Sequence, residues 1–220
     1  MGKLGKLEKF KQVSEFSNCF EYDESLKGKW NSEVFKNDNP ITLELACGKG
    51  EYSVGMGRMY PNRNFIGVDV KGNRIWKGAR TALDEGLDNV AFLRTQISNI
   101  TDYFAPGEVE EIWIIFPDPQ PRKSKAKKRL THAVFIERYL EFLKPGGMVR
   151  LKTDDGPLYN FTRETIDEEG FRLIQYSDDI YSWEDRPKEL DIRTFYEDIW
   201  LEEGKKIKYV AFEPKVTERT

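Results

Sequence analysis

The sequence predicts an α/β fold: a doubly wound, mainly parallel sheet of seven strands flanked by helices. Three observations lead there. Short apolar runs recur along the chain, and stretches with helical apolar spacing separate them. One run, Ile112-Trp113-Ile114-Ile115-Phe116, is unbroken and uncharged, the pattern of a strand covered on both faces. The first run, Ile41 to Ala46, leads directly into Cys47-Gly48-Lys49-Gly50, a glycine turn of the kind that joins a strand to a helix beside a ligand.

Taken in order, residues 1–39 are polar and mixed and close on Asn37-Asp38-Asn39-Pro40, a turn signal. They read as a partly helical N-terminal extension, and residues 40–220 as one domain. After the glycine turn a helix is expected from about Glu51 to Met59, closed by Pro61, then a second strand from Phe65 to Val70. A helix from about Asn73 to Glu85 stops at Gly86. Val90–Arg94 is the third strand, followed by a short helix near 97–104, and Ile112–Phe116 is the fourth. Helical spacing returns between Thr131 and Leu143, and Lys144-Pro145-Gly146-Gly147 interrupts it before a strand from Met148 to Thr153. A helix after 156, a strand near Phe171–Tyr176, a helix near Thr194–Glu203 and a strand at Ile207–Phe212 complete the order.

The chain of 220 residues is long enough for one such domain and short for two. No apolar run approaches the roughly 18–20 residues of a membrane span, and the lysine-rich start lacks the apolar core of a secretory signal. Cys19 and Cys47 form no framework and no metal-ligand spacing, so neither a disulfide nor a metal is expected, and a soluble cytoplasmic protein is the simplest reading. Net charge is −3, yet residues 122–129 read Arg-Lys-Ser-Lys-Ala-Lys-Lys-Arg, six cations without an acid. A basic segment on an acidic body suits a protein that grips a polyanion at one place; a solvated charge run is the bland alternative.

Two motifs carry chemistry. In Glu44-Leu-Ala-Cys-Gly48-Lys-Gly50, the glycines let backbone approach a ligand, and Asp69, at the next strand end, can accept hydrogen bonds from both hydroxyls of a ribose. NAD and S-adenosylmethionine compete for this pattern. The NAD fingerprint places a third glycine where Ser53 stands, whereas a carboxylate at Glu44 suits a cationic methyl donor. The second motif is Phe116-Pro117-Asp118-Pro119. Prolines on both sides restrict the backbone and so direct the Asp118 carboxylate, with the six cations close behind it in sequence.

Together with Leu143-Lys-Pro-Gly-Gly147, Thr153-Asp154 and Arg193-Thr-Phe-Tyr-Glu197, these blocks resemble the tRNA (guanine-N7)-methyltransferase family over about residues 40–212. The resemblance implies a Rossmann-like class I methyltransferase fold and S-adenosylmethionine as methyl donor. It implies a tRNA partner methylated on a variable-loop guanine, a monomer or homodimer, and no membrane or metal. Carried over position by position, it implies that Glu44, Gly48, Gly50, Asp69 and Gln96 bind the donor, Gln96 standing where the family has Asp or Asn. Asp118 would sit at the reaction centre, and Arg122, Asp154, Thr194, Phe195, Tyr196 and Glu197 would bind substrate; Lys127, Lys128 and Arg129 join them as candidates on the charge of the basic run. Residues 1–39 would be a candidate RNA contact. Gln120 departs from the family's usual Trp.

The chemistry fits the composition. Guanine N7 carries a lone pair and no proton, so attack on a sulfonium methyl needs positioning rather than a general base. The single histidine, His132, near a predicted helix start, reads as an exposed or capping residue rather than a catalytic one, and Cys47 as a small buried filler. The five tryptophans read mostly as core. A small-molecule methyltransferase of the same fold, a non-catalytic RNA-binding module and an NAD oxidoreductase are the rival readings.

Overall fold

In the computed structural model, which describes residues 5–215, helices and strands alternate in an α/β pattern, and the chain divides into two compact units that meet in sequence at Ala105 and Pro106. Eight strands are present among the described residues.

The first unit contains α1 (Lys6–Val13), β1 (Cys19–Glu21), β2 (Ile41–Leu45), α2 (Glu51–Met59), β3 (Asn64–Asp69), α3 (Gly72–Asp84) and β4 (Val90–Arg94). Its strands run in the order β1-β4-β3-β2, and each adjacent pair is parallel. β2 and β3 are buried at every position, so even the polar Thr42 and Glu44 that alternate with the apolar residues of β2 lie inside. α3 ends where Gly86 takes φ +65°, the left-handed conformation its stop signal requires.

The eighth strand is β1, which the sequence reading left within the polar extension. It pairs with β4 through Cys19–Phe92, Phe20–Leu93 and Glu21–Arg94. Further along the same segment, Trp30 is fully buried, stacks on Phe104 at 5.6 Å and donates its indole N–H to the Tyr103 carbonyl at 2.9 Å. A three-residue strand has too little periodicity to stand out in a sequence, and its pairing partner lies some seventy positions away.

The second unit contains β5 (Val109–Ile115), α4 (Ala133–Leu140), β6 (Leu143–Thr153), α5 (Gly156–Glu168), β7 (Arg172–Ser177), α6 (Phe195–Glu202) and β8 (Lys208–Glu213). Its strand order is β5-β6-β8-β7; β5 and β6 are parallel, and β8 runs antiparallel to both its neighbours. The helix expected over 131–143 is the shorter α4: His132 caps its start, where Nδ1 accepts the Val134 N–H at 3.2 Å, and at the other end β6 begins already at Leu143 rather than at Met148. The short helix expected near 97–104 is a 3-10 turn over Ile97–Asp102. Trp30 and Trp113 are core, whereas Trp76, Trp183 and Trp200 are half-buried.

Candidate functional site

In the first unit, the turn after β2 is held by Asp69, the last residue of β3. One carboxylate oxygen accepts the Gly48 N–H at 3.0 Å and the other accepts the Lys71 N–H at 2.8 Å. Beside it lies a cavity of about 340 Å³ lined by Ala46, Asp69, Val70, Thr95, Gln96 and Ile97. Ala46 reaches it in the left-handed region, φ +58°. Thr95 is fully buried, and its hydroxyl finds no hydrogen-bond partner among the described residues. An apolar concavity with one carboxylate and one unsatisfied hydroxyl suits a nucleoside, whose base needs apolar walls and whose sugar needs polar partners. Asp69 and Gln96 are thus brought together there.

Glu44 does not line this cavity but is close enough to Asp69 to feel its charge. It is 6% exposed, and one oxygen accepts both the backbone N–H of Ser53 at 2.7 Å and its hydroxyl at 2.5 Å. Burial pushes its pKa up to about 8, against the two Ser53 hydrogen bonds, which favour the charged form. Cys47 is buried and its thiol is pushed well above the usual range, the state of an inert filler.

Why the turn sits so close to the sheet is explained by Phe92. A Cβ on Gly50 would lie 2.4 Å from the Phe92 ring, and one on Gly78, in α3, would lie 2.8 Å from the same ring and 2.7 Å from the Lys49 carbonyl. Gly67 of β3 meets the ring likewise, at 2.7 Å. Sequence reasoning missed Gly67 and Gly78, although an isolated glycine inside a strand or helix is itself a sign of close backbone approach.

In the second unit, β5 ends at a sharp turn. Phe116 takes φ +46°, a strained value for a bulky residue, and Pro117 follows it. Asp118 is exposed, and one of its oxygens accepts the Gln120 N–H at 3.0 Å, closing an Asx turn around Pro119. Gln120, at φ +46°, is the second strained residue of this loop. Arg129 pins the same loop from the far end of the basic run: it donates to the carbonyls of Pro119 at 3.2 Å and Gln120 at 3.3 Å and stacks on Phe161 at 4.4 Å. Its guanidinium is therefore spent largely on the loop, a role the charge run alone did not reveal. Arg122, Lys123, Lys125, Lys127 and Lys128 are exposed on or beside a short 3-10 turn.

The segment 194–197 opens α6. Thr194 is its N-cap and forms a capping box with Glu197. Phe195 and Tyr196 project outward, 52% and 47% exposed, and Tyr196 stacks on Trp200, which packs on Phe116 at 4.8 Å. Glu197 points the other way. It is fully buried and pairs with Lys152, also fully buried, at 2.8 Å. Asp154, the residue after β6, is half-buried, 3.4 Å from Lys205, and burial raises its pKa.

A family model described as "Putative methyltransferase" matches residues 38–210. A tRNA (guanine-N(7)-)-methyltransferase of Bacteroides fragilis is 49% identical over 220 residues, covering 96% of this chain and 86% of that protein. That of Christiangramia forsetii is 48% identical over 98% of this chain and its own whole length, and that of Bacillus subtilis is 36% identical over 71% and 73%. Among solved structures, the 16S rRNA methyltransferase KamB superposes with a TM-score of 0.63 at 12% identity over 84% of this chain and 92% of that one. A 16S rRNA (adenine(1408)-N(1))-methyltransferase of Catenulisporales acidiphilia, solved with its cosubstrate S-adenosylmethionine, gives 0.56 at 12% identity over 91% and 95%.

The family match and these relatives thus make the chain an S-adenosylmethionine-dependent methyltransferase, and the solved structures show the α/β class I fold. Within that class, the chain belongs to the tRNA (guanine-N7)-methyltransferase family. Among the described residues no helix is long and apolar enough to cross a membrane.

Proposed function

We propose that this protein methylates N7 of a guanine in the variable loop of tRNA, with the N7 lone pair attacking in line and no general base. S-adenosylmethionine, when bound, supplies a methyl group on a sulfonium. Asp69 would accept the ribose hydroxyls, Gly48 and Gly50 would admit the donor close to backbone, and Gln96 would edge the base. In the other unit Asp118 would face the guanine. The observation that carries this reading is Asp118 itself: an exposed carboxylate on a loop made stiff by two prolines, an Asx turn and the Arg129 clamp, beside a row of exposed cations. Methylated guanine is cationic, so a fixed carboxylate nearby stabilises charge that develops in the transition state. Phe195 and Tyr196 would meet the base, with Thr194 and Glu197 shaping their turn and Asp154 and Arg122 as further substrate contacts. Incubation with S-adenosylmethionine and unmodified tRNA transcript should yield 7-methylguanosine by nucleoside mass analysis. A different methylated nucleoside would overturn the target atom, and no methylation despite donor binding would turn the reading towards a small-molecule acceptor.

Lys127→Gln with Lys128→Gln should weaken tRNA binding and flatten the dependence of log affinity on log salt by roughly 1.4–1.8 units, since each phosphate contact contributes roughly 0.7–0.9. Filter binding between low and physiological salt measures this, and an unchanged slope would return these lysines to plain solvated charge.

Glu44 gives a pH signature. With its pKa raised to about 8 it is mostly protonated at neutral pH, and a cationic donor favours the charged form. Donor binding should therefore release protons near pH 7 and tighten as pH rises through about 8. Calorimetry in buffers of different ionisation enthalpy reads the released fraction, which should vanish in Glu44→Gln. The same shift makes the donor-free fold lose stability as pH rises from about 4.5, the unfolded value, through about 8, because the unfolded chain gives up this proton first.

A further inference from the structure

Lys152 is buried completely near the end of β6, an expensive place for a cation. An ammonium has three donors, and here all are directed: to the carbonyls of Leu190 and Ile192, each at 3.0 Å, and to the Glu197 carboxylate at 2.9 Å. Glu197 in turn accepts the Tyr181 hydroxyl at 2.8 Å and the backbone N–H of Thr194 at 3.4 Å. The buried charge thus fastens the segment entering α6 and the first turn of that helix. Lys152 also reaches the other loop. Its carbonyl accepts the N–H of Phe116 at 2.9 Å, and its ammonium lies 5.8 Å from the centre of the Phe116 ring. Phe116 is the strained residue two positions before Asp118, and its ring packs on Trp200 of α6.

We propose that Lys152 is a positioning residue for methyl transfer, one that holds the Phe116–Asp118 loop and the Thr194–Glu197 turn in register, and that Glu197 acts through this buried pair rather than by touching the base. The proposal rests on the reading that these two segments hold the guanine. Stability alone is a poor reason for such a pair, because well-packed apolar residues often replace a buried ion pair without loss. What they cannot replace is a set of directed bonds joining a strand end, two loop carbonyls and a helix start. A misplacement of about 1 Å in a reacting group can cost about 10²-fold in rate.

The test uses the full chain and the paired variant Lys152→Met/Glu197→Leu, which leaves no uncompensated charge, with Asp118→Ala in parallel. Thermal midpoint, S-adenosylmethionine Kd, and kcat and KM for tRNA transcript are measured. The expected result is a kcat lowered by about 10²-fold with the thermal midpoint, donor Kd and tRNA KM close to those of the parent. A parental kcat would overturn the proposal and leave the pair a packing feature. So would a raised KM with kcat intact, which would make Glu197 a direct substrate contact. If the paired variant does not fold, Tyr181→Phe carries the test: a lower kcat at unchanged midpoint and KM supports the proposal, and a parental kcat overturns it. An active Asp118→Ala would instead sink the reading of the site itself, whereas an inactive Asp118→Ala beside an active paired variant sinks only the role of Lys152.

Discussion

Asp118→Asn should lower kcat by about 10²–10³-fold while leaving the fold and the donor Kd as they are. Asparagine forms Asx turns as aspartate does, so the bond to the Gln120 N–H at 3.0 Å and the loop built on it survive, and only the charge is removed. The variant is therefore cleaner than Asp118→Ala, which also frees the strained Gln120. A loss confined to kcat means that the carboxylate stabilises the cationic guanine as it forms. A rise in tRNA KM of similar size means that it holds the donor edge of the base already in the ground state. Parental kcat in single-turnover methylation of tRNA would remove Asp118 from the reaction centre.

Gly50→Ala should cost about 2–5 kcal/mol of stability and abolish donor binding, whereas Gly48→Ala should cost about 1–2 kcal/mol. Both residues occupy the left-handed region, at φ +67° and +55°, so each alanine carries the same backbone penalty. They differ in what a methyl group would meet. At Gly48 nothing lies within 4 Å, but at Gly50 the Phe92 ring is 2.4 Å away and the Gly78 backbone 3.2 Å away. Phe92 is fully buried between turn, strand and helix and has nowhere to retreat. Thermal melts with and without S-adenosylmethionine separate the two. A parental midpoint for Gly50→Ala would refute the packing account of this turn.

Much of the fold was legible because its signals are local. The apolar runs of β2, β3 and β4, the helices between them and the stop at Gly86 follow from spacing and from the conformational range of single residues. The place of His132 at a helix start was legible for the same reason, and the structure decided for the cap between the capping and exposed roles. β1 was not, since three residues with a partner seventy positions on carry no periodic signature. Likewise Arg129 looked like one more cation in a basic run, because the acceptors it clamps are carbonyls of Pro119 and Gln120, and carbonyls are present in every residue.

The alternating α/β order, the glycine turn with Asp69 about twenty residues on, the proline-flanked Asp118 and the cluster of cations are patterns of local backbone or local charge, and so could be read along the chain. Only the tertiary structure decided which way the charged side chains turn. Glu197, which follows two exposed aromatics in the first turn of α6, faces inward to a lysine 45 positions earlier, and Glu44 is locked on Ser53 under the turn. Tertiary packing likewise decided that Gly50, Gly67 and Gly78 converge on one phenylalanine. The physical reason is the same in each case: the direction of a side chain, and the desolvation that comes with it, depends on partners brought together by folding rather than on neighbours in the chain.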